Sequence, residues 1–219
     1  MMPRRGGLEV WRHRRLRSDA TTRIVGVAPA DDNPSVAAKQ QGGERRVQPE
    51  GKRRLVDVSQ FKAAMRRLVA GVCLVTTETA DGARHGLAAT AVTSVTAEPP
   101  TLLCCVNRAA SAALHIREAG CFAVNVLPVE AGELSQRFSG VGPSSERFST
   151  GSWIRLATGA PILTEAMVAF DCRITQQMEV GSHFVFLGLI EAVNLASEPG
   201  APLLYGMGSY GIFQPAGAS

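Results

Sequence analysis

The stretch from Gly86 to Asn107, GLAATAVTSVTAEPPTLLCCVN, constrains the fold more than any other part of this chain. It reads as a strand of small and hydroxyl-bearing residues, a Glu98-Pro99-Pro100 turn, and a second strand that is apolar until its last residue. Small side chains leave backbone N–H and C=O groups open to close approach by something flat. Thr90, Thr93, Ser94 and Thr96 add hydroxyls that donate or accept. Thr and Val are also ordinary strand residues, so by itself the segment is more simply a half-exposed strand. Its neighbours along the chain decide between the two.

A chain of 219 residues suits one domain with an appendage. The net charge of +4 and pI near 9.0 mislead, because the charge is unevenly spread. Residues 1–55 carry 13 Lys/Arg against 6 Asp/Glu, whereas residues 56–219 carry 10 against 13. The body is therefore mildly acidic, which argues against a nucleic-acid partner. Arginine pairs at Arg4-Arg5, Arg14-Arg15, Arg45-Arg46 and Arg53-Arg54, with scattered Pro and Gly, mark residues 1–55 as a basic, disordered extension. Such a segment buries too little surface to offset its ordering entropy. It is no secretory signal, since its longest apolar run, Ile24 to Ala30, is short and contains Gly and Pro. We expect translation to start nearer Val47 or Val56; an intact Met1 or Met2 on N-terminal sequencing would refute this. The domain proper is read as residues 56–215, with 216–219 a tail. No apolar stretch approaches bilayer length, so no membrane partner is expected. Cys73, Cys104, Cys105, Cys121 and Cys172 lie in apolar, strand-like runs without zinc spacing, as buried thiols of a reducing cytoplasm do.

Phe61, Ala64, Met65, Leu68 and Val69 recur at helical spacing, with Ser59 a candidate N-cap and Gly71 a stop. Val72 to Thr77 reads as a buried strand, and Asp81-Gly82 turns it into a hairpin with a strand from about Arg84. Beyond Asn107, the pattern predicts a helix over Ser111 to Ala119 closed by Gly120, a strand over Cys121 to Leu127, and a helix over Val129 to Phe138. Val141 to Ser152 is Gly/Ser-rich and reads as a mobile loop. Strands over Ala166 to Gln177 and His183 to Leu195 flank a turn at Glu179 to Ser182, and Pro202 to Phe213 closes the chain. About six largely consecutive strands with short helices predict a mainly β fold, a barrel with helical decorations.

Gly206-Met207-Gly208-Ser209-Tyr210-Gly211 matches G-x-G-x-x-G by letter only, since no helix can follow before the chain ends. Asn107 to Ser111 joins a buried strand to a helix start, where free N–H groups favour an anion. Ser111 reads as a helix cap or a phosphate ligand, and Arg108 as the cation that would neutralise that phosphate. His85 and His115 have no acidic partner nearby in sequence, whereas His183 opens a strand directly after a turn, where an imidazole stays accessible. Glu130, Glu133 and Arg137 form a solvated helix face.

These pieces in their order, from Phe61-Lys62-x-x-Met65-Arg66 and Gly71 to Thr77, through Ala89-Thr90-Ala91-x-Thr93-Ser94 and Cys105 to Arg108, to Phe122 to Leu127, Arg137-Phe138, Arg147-Phe148, Pro161-x-Leu163 and Gly181-Ser182-His183, resemble the flavin reductase family. The resemblance covers about Asp57 to Phe213. It implies an FMN-binding split β-barrel of Greek-key type, a homodimer, and hydride transfer from NADH or NADPH to FMN or FAD. Reduced flavin then goes to a partner flavin-dependent monooxygenase. It implies Thr90, Ala91, Val92 and Thr93 along the isoalloxazine ring, with Ser94, Cys105, Val106 and Asn107 toward the ribityl chain. Arg108 and Ser111 fall by the phosphate, and His183 at the nicotinamide as the catalytic residue.

Ser182 departs from the family pattern, which has Asp at that place; Ser can still accept a backbone hydrogen bond in such a turn. Two rivals stay open: a split-barrel oxidoreductase holding FMN tightly for its own substrate, and a non-catalytic flavin-binding protein.

Overall fold

The computed structural model describes residues 55–141, 143–198 and 200–214. The expectations for the basic extension, Leu55 apart, and for the tail lie outside these residues. The chain begins with helix α1 (Val58–Met65), then strands β1 (Ala70–Gly71), β2 (Cys73–Glu78), β3 (Arg84–Ala89), β4 (Val92–Ala97) and β5 (Pro100–Asn107). Helix α2 (Ala113–Ala119) precedes β6 (Cys121–Val126) and α3 (Gly132–Phe138). β7 (Trp153–Arg155), β8 (Pro161–Leu163), β9 (Val168–Val180), β10 (His183–Leu195), β11 (Leu203–Gly206) and β12 (Ser209–Ile212) complete it. The fold is mainly β, with more strands among the described residues than the six expected.

Connectivity sets the shape of the main sheet. Its seven antiparallel strands run in the order β3-β2-β6-β9-β10-β5-β4. The outermost strands, β3 and β4, are joined by Thr90 and Ala91 alone. In a flat sheet they would lie roughly 29 Å apart at the usual strand spacing. The Ala89-to-Val92 connection spans at most about 11 Å. The sheet must therefore curl until its two edges approach, and no β3–β4 pairing closes it. The stretch from Gly86 is accordingly not one strand before the turn but the end of β3, a two-residue crossing, and β4.

The curl has a core on each side. Inside, Cys73, Val75, Cys104, Val106, Phe122, Phe184 and Phe186 pack with Ala113 and Ile116 of α2. Outside, Leu74, Ala123, Leu127 and Phe138 pack with Ile162 and Leu163. Both faces of β2 and β6 are covered, which is why these strands read as unbroken apolar runs. Buried Asn125 ties three elements together: its amide donates to Leu74 O (3.2 Å) and Thr76 Oγ1 (3.1 Å), and its Oδ1 accepts from Leu163 N (2.8 Å).

Local chemistry explains three departures from the sequence pattern. Asp57, not Ser59, holds the N-cap position of α1, and the Ser59 hydroxyl donates to the Asp57 carboxylate. Helix α1 ends at Met65, so Leu68 and Val69 of the predicted stripe lie beyond it, and Gly71, read as its stop, belongs to β1. Phe61, Met65, Leu68 and Val69 all stay exposed, and no element among the described residues buries them. The loop read as mobile is anchored: Phe148 packs edge-on against Phe138 (5.1 Å) and against Trp153 (4.8 Å).

Candidate functional site

Strand parity builds the site. On β5, Leu102, Cys104 and Val106 enter the inner core, so Leu103, Cys105 and Asn107 take the opposite face. On β10 the inward residues are Phe184 and Phe186, and register sets Val185 opposite Cys105 and His183 opposite Asn107. Thr93 of β4 stands opposite Leu103. Thr93, Cys105, Asn107 and His183 thus share one face of three adjacent strands.

The backbone is open at the same place. Cys105 N donates to Ala91 O and Arg108 N to Ser182 O, both at 2.9 Å. Alternation along the strand therefore turns the Asn107 N–H toward the β3–β4 seam. It lies beyond Val92, where the pairing of β4 with β5 ends. His183 is oriented by its neighbour: Ser182 Oγ lies 2.9 Å from His183 Nδ1.

The far end of the seam is cationic. Arg147 Nη1 donates to Ser111 Oγ (3.1 Å) and to Gly86 O of β3 (3.0 Å). Its Nε is buried without a hydrogen-bond partner. An unmet buried donor is costly, and an anionic oxygen beside Ser111 would satisfy it. Arg84, His85, His115, Ser144 and Ser145 complete a pocket of about 300 Å³ here.

Residues 65–214 match the flavin reductase like domain. The chain belongs to this family. Among curated relatives, the FMN reductase (NADH) RutF of Methylorubrum populi is 47% identical over 150 residues, 68% of this chain and 73% of the relative. The FMN reductase (NADH) RutF of Ancylobacter novellus is 44% identical over 173 residues, 79% of this chain and 87% of the relative. The solved structure of the NADH:FAD oxidoreductase SgcE6 of Streptomyces globisporus C-1027 aligns with a TM-score of 0.66 at 28% identity, covering 74% of this chain and 98% of that one. SgcE6 has also been solved in complex with NAD and FAD fragments.

Against the family expectation, the residues sort as follows. Thr90 and Ala91 form the exposed crossing, and Thr93 and Ser94 are exposed on β4. Val106 has no exposure and Val92 packs against the same core, so either meets the seam through its backbone alone. Ser111 is not a cap, because Ala112 holds that position in α2; its hydroxyl is engaged by Arg147 instead. Arg108 does not join Ser111. Its guanidinium pairs with Glu179 (3.1 Å), reaches Gly181 O (3.5 Å) and lies over the Phe184 ring (5.7 Å), fastening the turn before His183.

Arg147, not Arg108, is the guanidinium at Ser111, and sequence reading passed it over as a site residue. Its only signal was the Arg147-Phe148 pair, 36 residues from Ser111. Three cysteines are buried thiols held protonated: burial pushes Cys73 and Cys172 up to about 12, and Cys104 rises too. Cys105, expected to be buried, is half-buried on the site face. Among the described residues, no group of three or more His, Cys, Asp or Glu is placed to hold a metal ion. None of their helices is long and apolar enough to cross a membrane.

Proposed function

We propose that the chain is an NADH-dependent flavin reductase that passes hydride to FMN or FAD and supplies reduced flavin to a partner flavin-dependent monooxygenase. The observation that carries this is one open seam with the Ser111–Arg147 pair at one end and the Asn107–His183 pair at the other. The names of the FMN reductase (NADH) relatives support FMN and NADH as the pair in use. The ring lies along Thr90, Ala91 and Thr93, with the ribityl chain by Ser94, Cys105 and Asn107 and the phosphate on Ser111 and Arg147. When bound, flavin supplies the electron-accepting ring. The protein orients the two cofactors, as a site without strong acids or bases requires. The Asn107 N–H is a fixed donor for charge growing on the reduced ring. His183, steadied by Ser182, meets the nicotinamide.

We read the curled, unclosed sheet as a split β-barrel, and the exposed stripe of α1 as part of a homodimer contact in a cytoplasmic protein. Handing flavin on requires affinity on the order of micromolar, about 8 kcal/mol. The test is steady-state oxidation of NADH and NADPH with FMN, FAD or riboflavin. Turnover with loss of flavin on gel filtration is expected. A protein that stays yellow is a tight FMN oxidoreductase or a flavin-binding protein, and no oxidation with any pair defeats the reading.

A further inference from the structure

Two imidazoles stand beside the buried Arg147 Nε that lacks a partner. His85 of β3 and His115 of α2 stack with ring centroids 3.6 Å apart and planes 16° apart. Both line the same pocket as Ser111 and Arg147. Arg84 also lines it but is paired with Glu78 (3.3 Å), which leaves Arg147 to face a phosphate dianion. One guanidinium balances only half of that charge. The stack could supply the rest, but two protonated rings so close repel, so the pair takes up charge only against an anion. Glu78, Asp81, Glu118, Cys121 and Arg155 line the cavity on the other side of the stack. Glu78 is also held by Arg155 (2.7 Å), and the Asp81 carboxylate by the Thr79 hydroxyl and the Ala83 N–H. Burial, and then His115, hold the His85 imidazole below its ordinary value, with Asp81 opposing. A phosphate against the rings acts in the opposite direction, since a nearby anion favours the protonated form.

We propose that the His85–His115 pair takes up a proton when a flavin phosphate enters this pocket. The pair then acts as a second cation beside Arg147 and sets the preference for phosphorylated flavin. The inference rests on the flavin-reductase reading, with the phosphate on Ser111 and Arg147. By linkage, a ligand that raises a group's proton affinity binds more tightly as that group becomes protonated. FMN affinity therefore gains on riboflavin affinity as pH falls from about 8 to about 6.5, because riboflavin has no phosphate. Protonation of the phosphate itself, near pH 6, opposes this gain. A protein without the two imidazoles isolates that opposing effect.

The test measures proton uptake on binding of FMN and of riboflavin, by calorimetry at about pH 7 in phosphate-free buffers of different ionisation enthalpy. The proteins are the wild type and the double variant His85→Gln, His115→Gln. The wild type is expected to take up at least about 0.3 proton more per FMN than the double variant, and no more than it for riboflavin. Between about pH 8 and about pH 6.5, its ratio of riboflavin to FMN dissociation constants should rise about threefold more than that of the variant. NMR titration of the wild-type imidazoles decides the matter if the double variant loses its thermal transition. One ring of the pair should titrate about one pH unit higher with FMN than with riboflavin. Equal proton uptake in the two proteins, or an unmoved imidazole titration, overturns the inference. A wild type that binds neither flavin refutes the flavin-reductase reading, and one that binds FMN and riboflavin equally refutes the phosphate placement. In either case this inference falls too.

Discussion

The Ser182 hydroxyl lies 2.9 Å from His183 Nδ1, at the two-residue turn between β9 and β10. The family pattern has Asp there; Ser keeps a hydrogen-bonding partner beside the ring but brings no charge. Ser182→Ala removes one neutral bond at an exposed site, worth about 0.5–1.5 kcal/mol. The KM for NADH should therefore rise about two- to tenfold in steady-state assays, with kcat changed less. His183→Ala should lower kcat/KM further. Unaltered NADH saturation and turnover in His183→Ala would remove His183 from the nicotinamide site.

On the proposed placement the flavin phosphate meets the Arg147 guanidinium, so Arg147→Ala should separate flavins that carry a phosphate from one that does not. Charge-assisted bonds are worth about 1.5–3 kcal/mol, hence about a tenfold to hundredfold loss of FMN affinity. Riboflavin binding should hold steady in the same fluorescence titration. Arg147→Lys keeps the charge and loses the planar fork, so recovery should be partial. Equal losses for FMN and riboflavin would mean that Arg147 acts by anchoring its loop.

Some glycine signals in the sequence were legible because a residue type had a single backbone use, although Gly71, read as a helix stop, belongs to β1. Gly82 and Gly120 sit at positive φ, at the hairpin turn and the α2 terminus where the pattern put them. The glycine-rich match near the C-terminus is the β11–β12 turn, with Met207 and Gly208 at positive φ, which bears out its rejection. What the sequence did not reveal depends on distant partners. The sheet curl follows from which strands become edges, and the Arg147–Ser111 bond from a loop folding back across β3. The α1 stripe had the right period, yet periodicity does not say whether the covering surface belongs to the same chain.

Gly188 lies where β10 crosses the inner core. A Cβ built there would meet Phe122 Cζ at 2.7 Å and Cys172 Cβ at 2.9 Å. Phe122 has no exposure and no room to retreat. Gly188→Ala should therefore destabilise the fold by about 1–3 kcal/mol, the usual cost of overpacking. Urea unfolding should show a lower midpoint at unchanged slope. A midpoint equal to that of the wild type would mean that β10 can move away from Phe122.

The lowered His85 value should make stability depend on pH. Burial is the main cause of the lowered His85 value, His115 adds to it, and Asp81 opposes both. Glu118 of α2 and Glu78 of β2 line the cavity on one side of the stack, and Arg84 of the same strand and Arg147 of the loop line the pocket on the other. An imidazole whose folded value lies below its ordinary 6.5 is protonated more readily in the unfolded chain. The unfolded state then binds more protons, so stability rises with pH through that window. The contribution of His85 is fully present above 6.5 and declines as pH falls through the ordinary value toward the lowered one. Thermal melts from about pH 7 to about pH 5 should show a steeper loss of Tm in the wild type than in His85→Gln, which has no proton to take up. Parallel curves for the two proteins would mean that another group drives the dependence and that the stack tolerates the charge.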